Sequence, residues 1–523
     1  MRRGPVDTAM RSEYLIVGSG ISALAVGALL AKAGRSVRVL EAHDAPGGYG
    51  HTFEAGGYRF NAQLHYVWNC GPGRSVRRVL DKLGLAAISF ESLDPGGFDR
   101  MHMPGHQLAI PADMEVLKQR LATEFPAHGR RLAAFCEEVR RTADELDAVP
   151  SPRTPFTLLP RLHRLTRVLR YRNATLQDVF DAFGLPLEAQ TLLALQWPDF
   201  LAPPRRLSFF AWVMLFVGYQ RGAYYPTQHF EHVIDSLVAV IRQCGGEVLL
   251  EHRVAEFVIE GGRVAGVIAE RLGSRGGSRG EFVRHDGDTL VCNMDPRQAA
   301  TMIGLERFSR DVRARLDYEY SPSNFMAYCV IEGVDLPALG FGKWNTFHTE
   351  MADLNACFDA MLTRGDYSRP SFALTTPSLM TADRGDCPEG KSIVELLTVA
   401  DYARFRHMRF ANIKTYNAKK LEIFDELCKV VERSYIPDFR ERLCFKMLGS
   451  PTTNERYCLS PFGHSYGSDM TPVQIGSRRL GHDSSIANLH FCSASAGFAG
   501  FAGAFWTGAT LYEKLTGDHV LAS

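Results

Sequence analysis

At 523 residues, with 46% hydrophobic and 22% charged side chains and a formal charge of +1, the chain is sized for two or three interleaved domains. It has no bulk charge to draw it to nucleic acid. Its eleven cysteines are dispersed, with no CxxC pair and no Cys/His ligand spacing, which argues against a disulfide framework or a metal module and for a reducing, cytoplasmic setting. No uninterrupted apolar stretch reaches the roughly 20 residues that a bilayer span requires.

The first elements set the frame. Arg2, Arg3 and Arg11, an apolar run and Ala31-Lys32-Ala33 imitate a secretory leader, but cleavage there would destroy the motif that follows, so no targeting segment is expected. Tyr14 to Val17 reads as a buried strand, Gly18-Ser19-Gly20-Ile21-Ser22-Ala23 as a glycine-rich turn, Leu24 to Ala33 as an apolar helix and Val37 to Leu40 as a second strand closed by Glu41. Strand, turn, helix, strand and acid in this order form the dinucleotide-binding fingerprint in its required context. Gly18 permits the tight turn, Gly20 lets backbone approach a pyrophosphate, and the helix N-terminus offers open N–H groups and a positive dipole end. Ala23 stands at the third glycine position, and Glu41 is suited to accept from ribose hydroxyls. An ordinary βαβ unit that binds nothing is the competing reading.

Ala42, Gly47, Gly48, Tyr49, His51, Thr52 and Phe53 then lead through Tyr58 and Phe60 to Leu64-His65-Tyr66. This succession of acid, glycine pair, His-Thr-Phe, Gly-Tyr and Leu-His-Tyr resembles flavoproteins of the phytoene desaturase, carotenoid isomerase and retinol saturase group. The resemblance implies a two-segment α/β Rossmann-type FAD domain with a mixed α+β substrate cap, and non-covalent FAD wrapped by residues 42–51. It also implies that His65 and Tyr66 lie near the flavin ring, as proton donor or orienting group, or merely as packed side chains. The boundaries expected are FAD-binding segments at 1–115, 221–320 and 441–523, a mainly helical region at 116–220 and the cap at 321–440.

Further along, Ser75 to Leu85 reads as a helix and Met101 to Ile110 as a hairpin. Asp113 is the N-cap of helices running from Met114 to Leu146. Arg161, Arg164, Arg167 and Arg170 recur at steps of three among leucines, the composition of an interfacial membrane helix or of a solvated helix whose arginines pair with acids. Leu207 to Val217 is a short apolar helix, lining an apolar cavity or simply core. Gly222-Ala223-Tyr224-Tyr225-Pro226 matches the same flavoprotein group, but Gln228 and His229 replace two of its glycines, which makes His229 an outside catalytic candidate. Val254 opens a hairpin to Ile268 and, by the resemblance, meets adenine through its backbone. Gly273 to Gly280 is a hairpin tip, and Leu290 to Asn293 a returning strand with a turn at Asn293-Met294-Asp295-Pro296.

The cap region contributes strands at Ala327 to Ile331, Ser371 to Thr375 and Ser392 to Leu397 and a long helix from Phe405 to Tyr435. Last come a strand at Leu489 to Cys492, a glycine-rich turn containing Ser493, Gly500 and Phe501, and a helix through Leu515. This is a second helix end aimed at a nucleotide, though without the acid that many relatives carry there. GxSxG spacing at Gly463 to Gly467 and Gly276 to Gly280 follows no clear buried strand and reads as chance.

With one fingerprint only, electrons would come from or go to an outside donor or acceptor: a quinone, oxygen or a reductase. The expected activity is desaturation, saturation or cis–trans isomerisation of C=C bonds in a long apolar polyene such as a carotenoid or retinoid, with cytoplasmic or peripheral membrane placement. Two alternatives stand beside it: a redox-inactive lipid or prenyl carrier on the same scaffold, and a flavin amine oxidase.

Overall fold

The computed structural model describes residues 7–8, 11–149, 163–273, 278–381 and 385–521. Arg161, the start of the arginine stripe and positions 274–277 of the expected hairpin tip lie outside the described residues.

Hydrophobic strands with two buried faces build a parallel sheet in the order Glu247–Leu249, Val37–Leu40, Ser12–Val17, the end of Ser278–Cys292 and Leu489–Phe491. The Ile21–Lys32 helix is apolar all round and buried from Ile21 to Ala31, because helices His229–Gln243 and Gly500–Thr516 cover it away from the sheet. Strands His252–Glu260 and Arg263–Leu272 pair antiparallel and join the long Ser278–Cys292 strand, forming the expected hairpin. Ser12–Val17 and Leu489–Phe491 thus flank one shared stretch, Leu290 to Cys292.

A second, seven-stranded sheet runs Leu443–Gly449, Ser323–Glu332, Lys391–Ala400, Ser371–Thr375, Asn345–Thr349, Asp99–Met103 and His106–Ile110. The hairpin at Asp99 to Ile110, which the sequence grouped with segment 1–115, adds to this sheet through a parallel pairing with Asn345–Thr349. The long helix expected from Phe405 to Tyr435 is two helices, Tyr402–Ala411 and Ile413–Ser434. Asn412 breaks it: its backbone is extended (φ −158°, ψ 107°) and its side chain accepts from the N–H groups of Lys414 and Thr415, capping the second helix. The helical stretch from Met114 to Leu146 likewise divides, at Pro126. Asp113 caps it as expected, accepting from Glu115 and Val116 N–H. No helix of the described residues is long and apolar enough to cross a membrane.

Candidate functional site

The fingerprint turn is held by groups distant in sequence. Gly18 has φ +93°, a left-handed conformation that suits only glycine, and donates to Leu40 O at 2.7 Å. Gly20 N–H donates to Asn293 Oδ1 at 2.9 Å, and a Cβ on Gly20 would stand 2.5 Å from that oxygen. Asn293 Nδ2 in turn donates to Ser22 Oγ at 2.9 Å and to Cys492 O, which also accepts from Ser22 Oγ at 2.9 Å. One asparagine therefore ties the first turn, the central strand and the last strand together. Glu41 accepts from Ser19 N–H at 2.8 Å, from Ser19 Oγ at 2.6 Å and from His43 N–H at 2.9 Å, so its carboxylate is fixed over the turn. Gly47 N–H donates to Ser19 O at 3.0 Å, which brings Gly47 and Gly48 beside Gly20.

The other cofactor candidates surround this turn in different ways. Ala42 follows Glu41 and is half-buried, and Ile21 and Ala23 are core on the helix's first turn. Tyr49 donates to His464 O at 2.5 Å, and His51 Nδ1 meets Gly48 O at 2.7 Å; burial lowers the His51 imidazole below its usual range. Val254 adjoins a bulge in its ladder, where pairing skips Ala255. Ser493 Oγ is buried without a hydrogen-bond partner among the described residues, beside Cys492. Gly500 opens the last helix with open space where a Cβ would be, whereas the Phe501 ring is core, packed 4.9 Å from Phe505 and 5.6 Å from Phe230.

In place of the acid absent from the last turn, the structure supplies a cation. Arg479 is buried, donates to Ala494 O at 2.5 Å and to Gly497 O, and forms no ion pair among the described residues; burial lowers its guanidinium to about 10. An orphaned serine hydroxyl, an unpaired buried cation and two helix ends flanked by residues without side chains fit a group that carries phosphates and hydroxyls.

His65 and Tyr66 lie where the first segment meets the second sheet. Glu395 Oε2 accepts from His65 Nδ1 at 3.0 Å and from Thr375 Oγ1 at 3.3 Å. The carboxylate is 1% exposed, and His65 Nε2 is buried without a partner among the described residues. Tyr66 donates to Asp199 Oδ2 at 2.9 Å, lies 3.2 Å from Asp99 Oδ2, and stacks on Tyr219 with ring centres 4.0 Å apart and 8° between planes. Gln196 Nε2 also donates to Asp99. Burial pushes the Asp99 carboxyl well up, with Asp199 adding repulsion, and burial lifts Asp199 to about 6. Tyr66 is pushed well above the ordinary phenol range, first by burial and then by the two aspartates. The outcome is a pair of carboxyls that burial makes harder to ionise, beside an oriented imidazole.

His229 is buried at the start of its helix with φ +67°, a left-handed conformation that favours glycine. It lines a small cavity with Ile88, Ser89, Pro226 and Val233. Asn61, buried, donates to Tyr225 OH at 2.9 Å, and Gln63, half-buried, accepts from Asn324 at 2.9 Å.

Glu395, Asp99, Asp199 and Arg479 carried no expected role, and Asn293 was expected only as the start of a turn. A faint signal existed for Glu395, the lone acid in the apolar run Ile393 to Leu397, because an unpaired carboxylate is costly in a core.

The parallel sheet, the glycine turn and the paired helix ends define a dinucleotide-binding protein with the fold of flavin oxidoreductases. A family profile described as NAD(P)-binding Rossmann-like domain matches residues 16–83. The chain is similar to the all-trans-retinol 13,14-reductase of Danio rerio, 23% identical over 95% of this chain and 84% of that one. It is also similar to prolycopene isomerase 2, chloroplastic, of an Oncidium hybrid cultivar, 19% identical over 95% of this chain and 82% of the relative. These relatives agree with the resemblance read from the motifs. Among solved structures, wild-type putrescine oxidase bound to putrescine superposes with a TM-score of 0.64 over 98% of this chain and 100% of that chain at 14% identity, which establishes the fold.

Proposed function

We propose that this chain is an FAD-dependent oxidoreductase or isomerase acting on C=C bonds of a long apolar polyene of the retinoid or carotenoid kind. The observation that carries the reading is its similarity, across nearly the whole chain, to one protein named for reducing retinol and another named for isomerising prolycopene.

FAD would be held non-covalently. Gly18, Ser19 and Gly20 would shape the turn around it, Ile21 to Ala23 at the start of the first helix and the Gly500–Thr516 helix would offer N–H groups to its phosphates and hydroxyls, Glu41 would face its ribose, and Val254 its adenine. Ala42, Gly47 to Tyr49 and His51 would wrap it, with Ser493 donating to it. When bound, the flavin supplies hydride transfer, with electrons exchanged with an outside quinone, oxygen or reductase.

This chain's own residues would handle the proton. Glu395 holds the His65 ring by its Nδ1, leaving Nε2 as the atom able to receive or return a proton at a substrate carbon. Tyr66, hydrogen-bonded to Asp199, offers a second proton held away from solvent. His229 is the outside candidate, because it stands where the resemblance places a glycine.

Anaerobic reduction and reoxidation of the purified protein with retinoids, carotenoids and unsaturated lipids, followed by product analysis, tests the reading. A flavin spectrum that responds to a polyene, with an altered double bond in the product, is expected. A colourless protein that cannot be reconstituted and changes no polyene would overturn it in favour of a lipid or prenyl carrier, and peroxide formed from amines would favour an amine oxidase.

A further inference from the structure

The elbow between helices Tyr402–Ala411 and Ile413–Ser434 is unlike the rest of the surface. Every residue from Phe410 to Thr415 is exposed, Phe410 to 73% and Ile413 to 55%, and Leu421, two turns beyond Ile413 on the same helix face, is 44% exposed. The elbow is nonetheless fixed, because Asn412 caps the second helix through two backbone N–H groups. A large aromatic and a β-branched side chain held out rigidly in water is a costly arrangement for a surface that meets water alone.

The charge around them has one sign. From Tyr402 to Lys420 there is no Asp or Glu, while Arg404, Arg406, Arg409, Lys414, Lys419 and Lys420 are all cationic. Arg404, Arg406, Arg409 and Lys414 form no ion pair among the described residues: Arg404 and Arg409 donate to the carbonyls of Thr363 and Thr452, and the Arg406 guanidinium lies 5.2 Å over the Phe410 ring. Two acids meet the first of these helices, both at its start and away from the elbow: Asp401 accepts from Arg404 N–H at 2.7 Å and caps it, and Glu455 accepts from Tyr402; on the second helix Lys419 pairs with Glu422 at 2.6 Å. The arginine stripe that the sequence brought forward differs. Its Arg167 is turned inward, paired with Glu138 at 3.0 Å and Glu145 at 3.0 Å.

We propose that this elbow docks the protein on an anionic phospholipid surface, Phe410 and Ile413 entering the headgroup–acyl boundary and Arg406, Arg409 and Lys414 meeting lipid phosphates. Apolar side chains at the tip with cations behind them match the two layers of such a surface, acyl boundary beneath and phosphate above. A polyene substrate dissolves in that same layer, so the docking extends the activity proposed above, while its test needs no turnover and is decided separately.

The test is co-sedimentation of the full chain with vesicles of phosphatidylcholine alone and of phosphatidylcholine with one-third phosphatidylglycerol, at low and raised salt. Binding to the anionic vesicles that weakens with salt is expected. The triple variant Arg406→Gln/Arg409→Gln/Lys414→Gln should lose about fivefold in partitioning per cation, roughly a hundredfold together. The double variant Phe410→Ser/Ile413→Ser should lose about tenfold or more while keeping its charge. Arg406, Phe410, Ile413 and Lys414 are exposed and Arg409 is half-buried, donating to Thr452 O at 3.2 Å, so an unchanged circular dichroism spectrum is required to confirm folding. Absence of binding to anionic vesicles, or variants that bind like the parent, would overturn the proposal. So would loss of binding on changing Arg164 and Arg170 to Gln instead, or binding to duplex DNA that the Phe410→Ser/Ile413→Ser variant leaves intact.

Discussion

Replacing Asp199 with Asn tests whether the cluster around Tyr66 holds a buried carboxylate at the expense of stability. Burial lifts the Asp199 carboxyl from its ordinary 3.8 to about 6, so the folded protein holds that proton more tightly than the unfolded chain does. A raised carboxyl costs nothing below about pH 4, where both states are protonated. The cost develops as the pH rises from about 4 to about 6 and is fully present above that. About 2 pH units at 1.36 kcal/mol each set a ceiling of about 3 kcal/mol, and the partial exposure of Asp199 brings the working range to about 1–3 kcal/mol. The amide oxygen of Asn can still accept from Tyr66 OH, now 2.9 Å from Asp199 Oδ2, so little else should be lost. Thermal unfolding at pH 7.5 should show Asp199→Asn more stable than the parent by about 1–3 °C, with the difference vanishing at pH 4. A gain of equal size at both pH values, or a loss confined to pH 7.5, would refute the reasoning.

Glu395→Gln keeps the shape of the side chain but removes the carboxylate that orients His65 Nδ1 at 3.0 Å. Turnover of a responding polyene should fall about a hundredfold and its pH profile should change shape, whereas a purely structural role would leave the profile unmoved. Gly20→Ala would place a Cβ 2.5 Å from Asn293 Oδ1 and push the turn off its anchor; flavin absorbance after reconstitution should drop at least tenfold, and full occupancy would contradict the role given to this turn. Asn293→Ala leaves Gly20 N–H and Ser22 Oγ short of a partner and should cost about 1–3 kcal/mol in denaturant unfolding, measured on the flavin-free protein.

What the sequence determined by itself is the local chemistry of the nucleotide turn. Gly18, Gly20, Glu41 and the strands on either side act through backbone conformation and hydrophobic period, properties that neighbouring residues set together, so Val37–Leu40 and Ser371–Thr375 were legible residue for residue. The Asn412 break was less so, because a capping side chain inside a helical period is a local competition with no sharp pattern. Only the tertiary structure decided which distant groups complete the site. Asn293 reaches Gly20 because the central sheet sets Ser278–Cys292 beside Ser12–Val17, and Glu395 reaches His65 because the second sheet packs against the first segment. It also placed Arg167 among acids and left the elbow at Phe410 bare, a distinction that local sequence cannot make, since both stretches set arginines among apolar residues. Pairing across hundreds of residues is fixed by burial and hydrogen-bond satisfaction in the folded chain, and no local stretch carries that information.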